Sequence, residues 1–188
     1  MLQRRNFVTR LMQYRNDALL VSSLGNPTYD LAAAGDKPAN FYLWGAMGGA
    51  SALGLGLAVA QPDRRVVVLL GDGEMMMGLS SLATISALRP ANLALVVLDN
   101  QAFAETGAQP GLTASGIDLT AIASAAGFSN TMSISADVEL DEFANMVFSA
   151  AGPVFGKAEI AMSEDAKVFP EWRGELLAQR TRDHVLLR

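Results

Sequence analysis

Three short segments carry side chains whose types and spacing suit a metal-bridged diphosphate: Gly25-Asn26-Pro27-Thr28, Gly71-Asp72-Gly73-Glu74 and Asp99-Asn100. Each follows an apolar run. Asp and Asn supply hard oxygen ligands, which suit Mg²⁺ rather than zinc. A glycine-rich turn entering a helix exposes backbone N–H groups at the positive end of the helix dipole, which suits phosphate. Taken singly, each segment is ordinary, because Gly-Asp-Gly and Asp-Asn are common turn sequences. Gly45-Ala46-Met47-Gly48-Gly49 lacks the G-x-G-x-x-G spacing of a dinucleotide site and the acidic ribose ligand that follows it, and by itself reads as close helix packing. Glu105 stands in the one long irregular stretch, 101–116. It has an acid/base reading over a substrate and a plainer reading as a solvated loop residue, and the plainer one is favoured.

Composition bounds what surrounds these residues. The chain has 188 residues, of which 51% are hydrophobic and 18% charged, enough for the core of one domain and too apolar for a disordered chain. Aromatics are only 7%, so the core rests on aliphatic side chains and close glycine packing. The net charge of −5 argues against a nucleic-acid module, whose footprint is basic. With no cysteine there is no disulfide, thiolate metal site or Cys nucleophile, and His184, the single histidine, rules out a multi-His metal centre.

The whole of 1–188 reads as one domain, with an N-terminal helix over 1–16 and a charged, surface or partner-contacting extension over 163–188. Arg4, Arg5, Arg10 and Arg15 without acids resemble a transit peptide, but Phe7, Val8, Leu11 and Tyr14 share one helical face, and an ordinary amphipathic helix with the arginines largely elsewhere is the better reading. The uncharged stretch 41–62 is long enough to span a bilayer, yet its five glycines and its Ala/Leu content favour a buried helix, so no membrane contact is expected. No secretory signal stands out, and a cytoplasmic location is the expectation.

Strand-like runs at 17–24, 65–70, 92–98, 129–135 and 153–162 alternate with helix-like segments at 45–60, 74–88, 118–126 and 140–151. The strands are apolar on both faces. The expectation is an α/β three-layer sandwich with a mostly parallel central sheet flanked by helices. In such sheets ligands bind beyond the carboxyl ends of the strands, where the three segments lie.

In combination the segments are far more specific. Gly71-Asp72-Gly73, twenty-six residues, then Asn100 resembles the cofactor motif of thiamine-diphosphate enzymes. Leu43-Trp44-Gly45-Ala46-Met47-Gly48, Leu98-Asp99-Asn100-Gln101-Ala102 and Gly107-Ala108-Gln109-Pro110-Gly111 are similar to segments of the sulfopyruvate and phosphonopyruvate decarboxylases. The similarity extends over about 17–160. The resemblance implies the thiamine-diphosphate-binding fold. It implies Mg²⁺ held by Asp72, the Asn100 side-chain oxygen and the Ala102 carbonyl. It also implies a diphosphate bound by Gly71, Gly73, Glu74 and Met75 on one side and by Gly25 and Asn26 on the other. Gly45 and Ala46 would border the aminopyrimidine, which the Gly45 carbonyl binds, and Met47 would wedge under the thiazolium. The implied reaction is decarboxylation of a 2-oxoacid.

Two residues depart from the pattern. Glu74 stands where these decarboxylases often carry a small or hydroxyl residue, and a carboxylate beside a diphosphate is unfavourable unless it points away. Glu105 stands where close relatives often carry Ser, and it would repel a second negative group on the substrate. Thiamine enzymes bind the cofactor between a diphosphate domain and a pyrimidine domain that supplies an activating glutamate. This chain has room for the first alone. The resemblance therefore implies a β subunit with a separate pyrimidine-domain subunit in an even-numbered homo- or hetero-oligomer. A split transketolase or acetolactate-synthase-like carboligase, and a non-catalytic cofactor-binding module, are the alternatives; the scarcity of histidine counts against transketolase and intact Asp72 and Asn100 against a relic.

Overall fold

A computed structural model describes residues 1–186. In chain order the elements are α1 (Arg4–Leu11), β1 (Leu19–Ser22), α2 (Asn26–Ala33), β2 (Asn40–Tyr42), α3 (Ala50–Ala60), β3 (Val66–Gly71), α4 (Asp72–Met77), α5 (Ser81–Leu88), β4 (Leu93–Asp99), β5 (Ala102–Phe103), β6 (Gln109–Pro110), α6 (Leu119–Ala126), β7 (Asn130–Ile134), α7 (Leu140–Ser149), β8 (Val154–Glu159) and α8 (Gly174–Leu186).

Six strands form one sheet in the order β2-β1-β3-β4-β8-β7, with every neighbouring pair parallel. The alternating side chains of β3 and β4 make the three layers. Val67, Leu69, Ala94, Val96 and Leu98 face the side covered by α1, α2 and α7. Val66, Val68, Leu70, Leu93, Leu95 and Val97 face the side covered by α3, α5 and α6. Both faces are buried, so both must be apolar, and this is why the strands read as continuous runs. The α/β sandwich expected from the sequence is the fold observed.

The differences lie at the connections. The helix expected over 45–60 is α3 alone; 45–49 is a turn. Its close-packing residue faces the sheet, since a Cβ on Gly54 would lie 2.2 Å from Val68 Cγ2. The helix expected over 74–88 is broken into α4 and α5. The break falls where Gly78 meets the 45–49 turn, a Cβ there lying 2.4 Å from the Gly48 carbonyl oxygen. The irregular stretch 101–116 contains the antiparallel hairpin β5–β6 and a 3-10 turn over Thr113–Ser115. α2 and β2 carry no clear sequence signal: α2 opens on Gly25-Asn26-Pro27, which reads as a turn although proline suits the first helical turn, and β2 spans three residues.

The first and last described elements are both built into the fold. Phe7, Val8 and Leu11 are fully buried, as the amphipathic reading requires. Arg4 and Arg15 are buried as well, against that reading. Arg4 and Arg5 both donate to Asp30, which is buried on α2, so the charge enters the core already compensated. Arg15 donates to Asn40 Oδ1 at 2.8 Å and to the Ala18 carbonyl at 3.0 Å.

The charged extension folds back on its own chain. Arg4 and Arg5 reach the backbone carbonyls of Ser163 and Ala166, and Arg4 also reaches Asp165 at 3.2 Å. Leu177 of α8 is buried, and Arg180 pairs with Asp36 at 2.7 Å. The last two positions of the stretch 163–188 lie outside the described residues. Among the described residues no helix is long and apolar enough to cross a membrane, and the uncharged stretch 41–62 is divided among β2, the turn and the eleven residues of α3.

Candidate functional site

From β1 the chain turns one way to β2, and from β3 it turns the other way to β4. Connections leaving in opposite directions open a crevice at the carboxyl ends of β1 and β3, the place where parallel α/β sheets take ligands. A cleft lies there. Its lining includes Gly25 and Asn26 from the β1–α2 turn, Gly71, Asp72, Gly73 and Glu74 at the start of α4, Asn100 and Ala102 beyond β4, Glu105, and Met47. Ten of the site residues expected from the sequence are thus brought together.

Three are not. Gly45 and Ala46 are exposed on the outer side of the turn and do not line the cleft. Met75 is fully buried in the core beneath α3 and α5. Its place on α4 explains this: the helix face opposite the cleft must bury against the sheet, and Met75 is on that face.

Asp72 is the most deeply buried of the acids that line the cleft. It opens α4 and is only 3% exposed. Its Oδ2 accepts from the Thr113 hydroxyl at 3.1 Å, and the same hydroxyl lies 2.9 Å from Asp99 Oδ1. Asp99 also accepts from the Gln101 N–H at 3.1 Å and lies 3.8 Å from Lys157 Nζ. Burial, with the charge of Asp99 added, pushes the Asp72 carboxyl up to about 6. Of the two buried carboxylates, Asp99 has the Lys157 ammonium beside it, while Asp72 has none within ion-pair distance among the described residues.

The donors nearby are hard oxygens. Asn100 Oδ1 accepts from the Ala102 N–H at 3.1 Å and keeps a second lone pair, while Asn100 Nδ2 donates to Met162 Sδ at 3.2 Å. Ala102 sits opposite Pro110 in the hairpin as a non-hydrogen-bonded pair, flanked by the bond from the Gly111 N–H to the Gln101 carbonyl at 2.7 Å, so the Ala102 carbonyl faces away from its hairpin partner. Carboxylate, amide oxygen and backbone carbonyl fit a divalent cation such as Mg²⁺. No group of three His, Cys, Asp or Glu that could hold a metal ion occurs among the described residues.

Glu74 points away from the crevice's centre. It is 6% exposed, and its Oε1 accepts from the Ala50 N–H at 3.2 Å. Its charge therefore faces the first turn of α3, where the helix dipole favours an anion. Its other oxygen, Oε2, is buried without a hydrogen-bond partner.

Gly25 precedes α2 with φ of 66°, a conformation that favours glycine. A Cβ there would meet the Glu105 side chain at 3.2 Å. Glu105 is exposed, as the solvated reading expects; it also lines the cleft, and its Oε2 pairs with Lys167 Nζ at 2.9 Å. Lys167 in turn lies 5.2 Å from the centre of the Tyr29 ring.

Met47 is 38% exposed and lines the cleft, so it is not packed in the core. Its Cε and the Phe103 ring crowd Gly73, where a Cβ would lie 2.6 Å from Phe103. Thr113, Lys157, Lys167 and Phe103 were not singled out by the sequence. Thr113 and Lys167 reach the site from distant segments that carry no local motif.

The raised Asp72 carboxyl has a consequence for stability. An unfolded Asp ionises near 3.8, whereas Asp72 in the folded chain holds its proton to about 6. Its contribution favours folding below about pH 4 and is lost as pH rises to about 6, an effect of up to about 3 kcal/mol. In chelator, the Asp72→Asn variant is expected to lose less thermal stability than the parent between pH 4 and pH 7. Equal losses in the two proteins would remove Asp72 as the source.

Residues 25–156 match the family described as thiamine pyrophosphate enzyme, C-terminal TPP binding domain. Sulfopyruvate decarboxylase subunit beta of Methanothermobacter thermautotrophicus is 41% identical over 85% of this chain and 83% of that protein. Phosphonopyruvate decarboxylase of Streptomyces viridochromogenes is 40% identical over 74% of this chain, which spans only 34% of that longer protein. Among solved structures, benzoylformate decarboxylase from Polynucleobacter necessarius superposes with a TM-score of 0.72 at 18% identity, over 89% of this chain and 34% of that one. A 2-oxoglutarate:ferredoxin oxidoreductase from Magnetococcus marinus gives 0.71 at 14% identity, over 88% of this chain and 64% of that one.

Proposed function

The chain belongs to the thiamine pyrophosphate enzymes, as their C-terminal, TPP-binding domain, and from that premise we propose that it is the diphosphate-binding β subunit of a Mg²⁺-dependent 2-oxoacid decarboxylase. The substrate is a 2-oxoacid of the sulfopyruvate or phosphonopyruvate kind, and a separate pyrimidine-domain subunit completes the site. The observation that carries the reading is the buried Asp72 carboxylate at the switch-point crevice, with the Asn100 amide and the Ala102 carbonyl beyond the neighbouring strand. The names of the relatives support decarboxylation, and the word "subunit" in one of them supports a partner.

Thiamine diphosphate, when bound, supplies an electron sink for the bond that releases CO₂. In this reading the protein's own part is binding and positioning. Asp72, Asn100 and the Ala102 carbonyl hold Mg²⁺. The N–H groups of Gly73 and Glu74 at the start of α4, with Gly25 and Asn26 across the crevice, hold the diphosphate. Met47 fixes the cofactor's orientation from the exposed turn. Glu105, held by Lys167, stands on the substrate side and keeps its charge paired. The sheet and the hairpin exclude water from the floor of the cleft.

Met47→Ala is expected to leave thiamine-diphosphate affinity within about threefold of the parent and to lower turnover of the assembled enzyme by about 100-fold, the order of loss that a small misplacement of reacting groups produces. Calorimetry and a CO₂-release assay on the same preparations separate the two quantities. Unchanged turnover per bound cofactor would remove Met47 from the positioning machinery. The function itself is tested by adding a pyrimidine-domain protein to the chain with Mg²⁺, thiamine diphosphate and a panel of 2-oxoacids. CO₂ release that requires both proteins supports the reading, and its absence for every 2-oxoacid counts against it.

A further inference from the structure

Among the described residues, Thr113 is the one whose side chain hydrogen-bonds the carboxylates at the ends of both central strands. It lies 41 residues from Asp72 and 14 from Asp99 in the chain, on the 3-10 turn that follows the β5–β6 hairpin. Its hydroxyl oxygen is 3.1 Å from Asp72 Oδ2 and 2.9 Å from Asp99 Oδ1, and the residue is 6% exposed. A hydroxyl has one hydrogen to donate, so it serves one ionised carboxylate at a time and meets the other with a lone pair. Such a contact, shared between two acids, contributes little stability of its own. Its value lies in fixing where the two acids stand.

Gly111, two residues earlier, adds a second constraint on the same oxygen. Its N–H donates to the Gln101 carbonyl at 2.7 Å, which seats the turn against the end of β4. A Cβ on Gly111 would lie 2.8 Å from Asp72 Oδ2. The backbone of the turn therefore fills the space beside that oxygen, and the carboxylate has little freedom to rotate toward it.

We infer that the Gly111–Thr113 turn is a collar that sets the orientation of the Asp72 carboxylate, with Thr113 as a positioning residue for the divalent cation held with the diphosphate. The inference rests on the metal role proposed for Asp72 and adds to it the source of the geometry. Partners of this kind, one step removed from the metal, typically change metal affinity by 10–100-fold when removed. The collar also joins the hairpin, which carries the Ala102 carbonyl, to the end of β3. One short turn thus holds two of the metal's protein ligands in register.

The test uses the full chain with saturating thiamine diphosphate, titrated with Mg²⁺ by calorimetry and with Mn²⁺ by electron paramagnetic resonance. Thr113→Val keeps the shape and deletes the hydroxyl; its metal affinity is expected to fall by about 10–100-fold. Thr113→Ser restores the hydroxyl and is expected to stay within about threefold of the parent. Gly111→Ala presses a methyl group against Asp72 Oδ2 and is expected to weaken the metal comparably without touching the hydroxyl.

The metal-free thermal midpoint, measured in chelator, separates a positioning role from a structural one. A structural role lowers the midpoint and leaves affinity in the folded fraction alone; a collar does the reverse. Parent-like metal affinity in both Thr113→Val and Gly111→Ala, in a background where Asp72→Ala removes binding, overturns the inference and leaves the metal role of Asp72 standing. If Thr113→Val does not fold, Gly111→Ala decides. If Asp72→Ala binds metal like the parent, the metal role and the collar fall together.

Discussion

Asp72→Ala is expected to weaken Mg²⁺-dependent binding of thiamine diphosphate by 100-fold or more, and to do so in a chain that still folds. The size follows from the charge. Asp72 is the anionic member of the proposed ligand set, the other two being an amide oxygen and a backbone carbonyl, and loss of a direct ligand exceeds the 10–100-fold typical of an outer partner. The fold is spared because the core beneath the site consists of Leu69, Leu70, Val96 and Val97, none of which depends on the carboxylate. Removing a buried charge that stands beside Asp99 relieves repulsion, so the metal-free variant is expected to melt at or above the parent's temperature. Circular dichroism establishes the fold, and calorimetry with and without chelator measures the affinity. A folded variant with undiminished, Mg²⁺-dependent affinity would place the metal elsewhere.

The second large effect concerns the proposed partner subunit. Met47, Gly45 and Ala46 are exposed beside the cleft, and the chain spans only 34% of the phosphonopyruvate decarboxylase it resembles. Within the cleft the acids are Asp72, Glu74 and Glu105. With the proposed ligand set, Asp72 is committed to a metal, while Glu74 faces α3 and Glu105 is paired with Lys167. In the proposed reading all three stand at the diphosphate end of the cofactor, and the acid that activates its far end comes from the partner subunit. The lone chain, saturated with thiamine diphosphate and Mg²⁺, is expected to decarboxylate 2-oxoacids at least 100-fold more slowly than the chain with a pyrimidine-domain subunit, the complex being an even-numbered assembly. Steady-state CO₂ release and light scattering measure both parts. Turnover by the lone chain equal to that of the mixture would contradict a two-subunit enzyme, and Glu105 would be the first residue to examine.

The layers of the fold were legible because a buried parallel sheet writes itself into sequence as unbroken apolar runs. The candidate ligands were legible for a related reason: Asp72 and Asn100 stand immediately beyond such runs, where polar residues have no structural need to be. What was not legible depends on contacts between distant segments. Thr113 reaches Asp72 across 41 residues. Arg4 is buried because Asp30 waits on another helix, which a helical wheel of α1 does not contain. Lys167 finds Glu105 only after the chain beyond β8 has folded back. Met75 was misplaced because proximity to a motif in sequence is not proximity in space once a helix begins; α4 turns that side chain into the core. The break at Gly78 has the same character, since it answers to the carbonyl of Gly48 rather than to its own neighbours.

The most direct measurement is a calorimetric titration of the full chain with thiamine diphosphate at pH 7.5, once in excess Mg²⁺ and once in excess chelator. A cofactor domain anchored through Asp72 predicts saturable binding with one cofactor per chain in Mg²⁺, reduced by 100-fold or more in chelator. Binding that is equal in the two buffers, or that is absent in Mg²⁺ even with the partner subunit added, would contradict it.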